Sequence, residues 1–98
     1  MSSEELIEAN EFCSYHHIEY TFICSLEEAG LLECKLINEQ KFISHDQLLQ
    51  LEKMIRMYQE LDINVAGIEA IINMLSRMQE MQAEIQQLRN KLRFYGQE

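Results

Sequence analysis

No lysine or arginine occurs before Lys35, so the first third of this 98-residue chain has no fixed cation to set against a phosphate backbone. Neutralisation of phosphates by Lys and Arg supplies nearly all non-specific affinity for nucleic acid. Duplex binding by this segment is therefore not expected. Proline is absent and glycine occurs only at positions 30, 67 and 96, which leaves those glycines and local capping as the only helix stops. No apolar run approaches the ~20 residues that span a bilayer. The start, Met-Ser-Ser-Glu-Glu-Leu, also lacks the basic and apolar regions of a signal peptide, so a cytoplasmic protein without membrane contact is expected. The three cysteines, Cys13, Cys24 and Cys34, are odd in number and 11 and 10 residues apart. That spacing matches neither a disulfide framework nor paired metal ligands, and they read as reduced and buried.

Acidic residues are present in excess, and their distribution is uneven. The segment through Cys34 carries eight glutamates (4, 5, 8, 11, 19, 27, 28 and 33), giving −8 for residues 1–34, −1 for 35–63 and 0 for 64–98. Such a surface attracts a basic protein and repels nucleic acid and anionic lipid. With 47% hydrophobic and 26% charged residues, the chain belongs with globular sequences of single-domain size.

Helical punctuation is regular. A short helix is expected from Glu11 to His17 with Phe12 and Tyr15 inward, then a second from about Glu19 to Ala29 with Phe22, Ile23 and Leu26 inward, closed by Gly30. Residues 32–43 place Asn38-Glu39-Gln40 between two β-prone pieces, a hairpin wing. Ser44-His45-Asp46-Gln47 reads as a capping box, with Ile43 and Leu48 as the hydrophobic staple of a third helix running to about Leu61. Its inward face is Leu48, Leu51, Ile55 and Tyr58. Asn64 is a second N-cap, and Ile63 with Ile68 a second staple.

From Val65 to about Tyr95 one long helix is expected. Ile71, Met78, Ile85 and Leu92 occupy one heptad position and Met74, Met81, Leu88 and Tyr95 the other, a coiled-coil seam. Such a stripe extends beyond a head of this size and calls for a partner, most simply a second copy. The fold class is thus mainly α: a winged helix-turn-helix head over residues 1–62 with a small β-hairpin wing, then a coiled-coil dimerisation helix over 63–98.

Catalytic candidates are thin. His16 and His17 are adjacent, about 100° apart around a helix, and do not form the i, i+4 pair used by zinc helices. His45 lies in a cap, the glycines are isolated, and Glu27-Glu28 reads as a solvated face. No enzyme activity and no cofactor are expected.

The run from Glu11 to about Leu75 resembles the MerR-type winged helix-turn-helix head, through Ala29-Gly30-Leu31-Leu32 and Ile43-Ser44-His45-Asp46-Gln47-Leu48. It departs from that pattern where DNA is read: the second helix carries Tyr20-Thr21-Phe22-Ile23-Cys24-Ser25-Leu26 instead of basic groups, and His17 replaces the usual glycine. Nearly the whole chain is also similar to the chaperone-modulator family CbpM. The similarity rests on Glu11-Phe12-Cys13, Leu61-Asp62-Ile63-Asn64-Val65-Ala66-Gly67-Ile68 and Leu88-Arg89-Asn90-Lys91-Leu92-Arg93. That resemblance implies binding to the J-domain of a DnaJ-like, CbpA-type co-chaperone and inhibition of its work with the Hsp70 chaperone DnaK. J-domains present a basic helix, so the expected partner-binding residues are Glu27, Glu28, Glu33 and Glu39, with Tyr20 or Phe42 as an aromatic anchor, although Phe42 reads more readily as core. The alternative is a MerR-like DNA-binding transcription regulator.

Overall fold

The computed structural model describes residues 5–96, so Glu4 and the segment ends at 1–4 and 97–98 lie outside the described residues. The chain runs β1 (Leu6–Glu8), α1 (Ala9–His16), α2 (Tyr20–Glu28), β2 (Cys34–Ile37), β3 (Gln40–Ser44), a 3₁₀ turn (His45–Gln47), α3 (Leu48–Glu60) and α4 (Val65–Gly96). The fold is mainly helical with a small antiparallel sheet of order β1-β3-β2, as expected of a winged-helix head followed by a long helix.

The wing forms where two consecutive residues accept positive φ. Asn38 and Glu39 sit at φ 51° and 66°, the signature of a type I′ turn, and set the register Ile37↔Gln40 to Cys34↔Ile43. β1 adds a third strand that the sequence pattern does not announce, pairing Leu6↔Ser44 to Glu8↔Phe42. It is extended by the His45 N–H, which donates to the Glu5 carbonyl at 2.8 Å.

Helix α1 starts at Ala9, two residues before the expected Glu11, and buries Ala9, Phe12 and Cys13. Tyr15 corrects the sequence reading: it is 81% exposed instead of inward. With Ala9, Phe12 and Cys13 forming the i, i+3, i+4 stripe, a residue two places beyond Cys13 is about 200° round the helix. His17 then adopts the left-handed conformation (φ 55°), and Ile18 N–H bonds Cys13 O at 3.0 Å, closing the helix without the usual glycine. In α2, Phe22, Ile23 and Leu26 are buried as expected, and Gly30 (φ 79°) ends it.

The core lies between α1, α2, α3, the sheet and the first turns of α4. Ile23, Leu26, Ile43, Leu51, Met54 and Ile68 form its fully buried centre. Each contributes about 1.5–3 kcal/mol relative to exposure. Asn64 Oδ1 accepts from Gly67 N–H at 2.9 Å, the expected cap.

The other cap forms in part. Gln47 Nε2 reaches back to Ser44 Oγ at 3.1 Å, but Ser44 Oγ donates to Asp46 Oδ1 at 2.7 Å and caps no backbone amide, while Gln47 also clamps the segment before β2: its Nε2 donates to Glu33 O at 2.7 Å and its Oε1 accepts from Glu33 N–H at 3.0 Å. A β2-side backbone with unmatched polar groups competes for the same amide that a capping box would use. The cysteines are all free, but only Cys13 is buried; Cys24 and Cys34 are half-buried, because both sit at the rim between α2 and the wing, not beneath it.

Candidate functional site

Helix α2 and the wing bring three of the expected glutamates together. Glu27, Glu28 and Glu33 line one open hollow of about 510 Å³ with Leu32 and Cys34. Glu28 and Glu33 are exposed, whereas the Glu27 carboxylate is taken by Lys41 of β3 at 2.6 Å. Lys41 Nζ also lies 3.9 Å from Cys24 Sγ and 6.0 Å from the centre of the Tyr20 ring. Its hydrogen bond to Glu27 raises the Lys41 pKa and keeps the ammonium charged. Tyr20 is half-buried beside this pair and is not displayed as a free anchor. Glu39 stands apart from the hollow, in the left-handed turn at the wing tip. Phe42 is half-buried; alternation along β3 puts it on the face opposite Lys41 and Ile43, so it is neither inside the core nor fully presented.

Burial, followed by the charge of Glu27, pushes the Cys34 thiol up to about 11, and burial also raises Cys13. Both thiols are therefore protonated at neutral pH and are poor nucleophiles. Among the described residues, no group of three or more His, Cys, Asp or Glu is placed to hold a metal ion, and no helix is long and apolar enough to cross a membrane.

The eight seam residues lie along α4 as the heptad pattern requires. Ile71 is half-buried near the head, while Met74, Met78, Met81, Ile85, Leu88, Leu92 and Tyr95 are between 51% and 79% exposed in the isolated chain. A second depression, absent from the sequence reading, separates α1 from the start of α3. Ile7, Phe12 and Leu48 form its floor, Tyr15 and His16 a wall, and Glu11 and Glu52 its rim, about 490 Å³ in all. The one signal for it is the placement of Tyr15 off the buried stripe of so short a helix.

With the head, wing and long helix in place, one comparison is decisive. The model of the family described as MerR HTH family regulatory protein matches residues 7–90, which spans both the head and most of α4. The chain belongs to the MerR HTH family. No curated protein and no solved structure matches it. In this head α2 carries no Lys or Arg, and the wing carries two cations, Lys35 in β2 and Lys41 in β3. Here that surface carries Glu28 and Glu33 outward, and one of its two lysines is paired internally with Glu27.

Proposed function

We propose that this MerR-family chain is a chaperone modulator whose acidic head binds the J-domain of a DnaJ-like, CbpA-type co-chaperone and inhibits its work with the Hsp70 chaperone DnaK. The observation that supports this reading most directly is the hollow of Glu27, Glu28 and Glu33 on a head with no cation before Lys35. The basic helix expected of a J-domain, through the CbpM resemblance, is complementary to that surface, and opposite charges across an interface raise association rates and reject like-charged competitors. The protein acts by covering a surface, with neither catalytic chemistry nor a cofactor, as a cytoplasmic homodimer joined along the α4 seam.

Calorimetric titration with an isolated J-domain tests the reading. Changing Glu28 and Glu33 together to Lys is expected to weaken binding by at least about tenfold, or ~1.4 kcal/mol. The same pair of changes should also flatten its salt dependence. Absence of any J-domain binding by the unaltered protein would dismiss the proposal.

Family membership favours a second reading, a DNA-binding regulator. Non-specific duplex binders reach about 10⁻⁴–10⁻⁶ M at physiological salt through several phosphate contacts. With Lys41 engaged by Glu27, the α2–wing surface is expected to fall short of that. Micromolar binding to a random-sequence duplex, weakening steeply with salt, would promote the regulator reading.

A further inference from the structure

The groove between α1 and the start of α3 combines three properties. Its floor is apolar and already formed: Phe12 is buried, and Ile7 and Leu48 are half-buried. Its wall holds Tyr15, whose exposed ring contributes nothing to the core, next to His16, whose ring packs tilted against Phe12 at 4.2 Å between ring centres. Its rim carboxylates, Glu11 and Glu52, are exposed, and neither takes part in an ion pair or side-chain hydrogen bond among the described residues. Glu27, by contrast, is neutralised within the chain.

An apolar trough between two helices, flanked by unpaired carboxylates, is the negative of one kind of ligand: an amphipathic helix with an apolar edge bordered by lysine or arginine. An aromatic ring such as Tyr15 has roughly 150–250 Å² to bury against such an edge. Long-range charge selects the same occupant. Residues 1–34 carry −8, so the field around the groove draws a cationic partner in and repels the equally acidic head of a second copy.

We propose that the α1–α3 groove is a docking site for a basic amphipathic helix of another protein, separate from the α2–wing hollow. It is independent of the J-domain reading, since the groove's own floor and rim specify the ligand.

The probe is a designed leucine–lysine amphipathic peptide of about 18 residues, long enough to hold a helix when docked. Its control is the same peptide with glutamate for lysine. Titrated into the ¹⁵N-labelled full chain, the lysine peptide is expected to cause saturable shifts centred on Glu11, Tyr15, Leu48 and Glu52, and the glutamate peptide none. Glu11→Lys with Glu52→Lys should weaken it by about tenfold or more, and Tyr15→Ser by a similar factor, ~1.4 kcal/mol. Tyr15→Phe should retain it, which separates loss of the apolar wall from damage to the head. All three side chains are exposed, so the amide spectrum of each variant should keep its dispersion. Shifts confined to Glu28 and Glu33, or to the α4 seam, overturn the proposal, as does undiminished binding by the Glu11→Lys, Glu52→Lys variant. Groove shifts that grow with the protein's own concentration and vanish in Arg89→Glu with Arg93→Glu overturn it too, since they place the basic end of a second copy's α4 in the groove.

Discussion

Lys41 lies 2.6 Å from Glu27 and 6.0 Å from the centre of the Tyr20 ring, so it occupies a carboxylate that the proposed cationic partner would meet on α2. Replacing it by methionine keeps an unbranched apolar stem beside Tyr20 and removes the ammonium. The hollow then gains one uncompensated negative charge. J-domain association by Lys41→Met is expected to be faster than wild type at low salt and to slow more steeply as salt rises. Stopped-flow measurement at several salt concentrations reads both. Identical rates for the two proteins would mean that the hollow is not where the encounter is steered. Residue identity alone told the acidic character of α2 but not this pairing, because the partners are 14 residues apart and meet only when β3 folds back beside α2. Tyr15 shows the same limit from the other side. An aromatic three places after Phe12 reads as core, until Cys13 completes a stripe that eight residues of helix have no width to enlarge.

Elements whose signals are local were legible. The second helix, the wing turn, the third helix and the Asn64 cap each rest on side-chain periodicity or on a cap within a few residues, and each stands where expected. Strand β1 was not legible, since three residues are too few to display alternation and its only support is long-range pairing to β3. The Ser44–Gln47 box formed only in part, with Gln47 Nε2 on Ser44 Oγ and no backbone amide capped, because its sequence signature is blind to a competitor 14 residues upstream, the Glu33 backbone that Gln47 holds at both N–H and O. Gly67 gives a test of the cap that did form. A Cβ there would sit 2.8 Å from Ile63 Cγ2 and 3.3 Å from Asn64 Oδ1, meeting the staple and the cap acceptor together. Ala is intrinsically better than Gly in a helix by about 1 kcal/mol. Forcing a stiff β-branched side chain aside costs about 1–3 kcal/mol, and losing a cap about 1 kcal/mol more. Gly67→Ala is therefore expected to destabilise the protein by about 1–3 kcal/mol, measured by urea denaturation, against the gain that helix propensity alone forecasts. A more stable Gly67→Ala protein would show that Ile63 moves without cost.

Across the chain as a whole, α4 carries the clearest pattern and the least support. Its 32 residues extend about 48 Å at 1.5 Å per residue, and only its first turns, through Val65, Ile68 and Ile72, pack on the head. Beyond Met74 the helix has no internal partner among the described residues, and isolated helices are marginal in water even with good formers. The heptad stripe of Met78, Met81, Ile85, Leu88 and Leu92 faces solvent, and it is the surface on which the proposed homodimer would close. Helicity of the outer turns and dimerisation are then one equilibrium. Ile85→Asp places a carboxylate in the middle of the seam, where burial without a partner costs several kcal/mol. The variant is expected to sediment as a monomer and to lose part of its helical circular dichroism, while the head, whose core includes no residue beyond Ile72, keeps its cooperative thermal transition. Wild-type protein that sediments as a monomer at about 100 µM would put any self-association weaker than about −5.5 kcal/mol and end the dimer reading. A variant that stays dimeric with full helicity would show that the copies meet through the head instead.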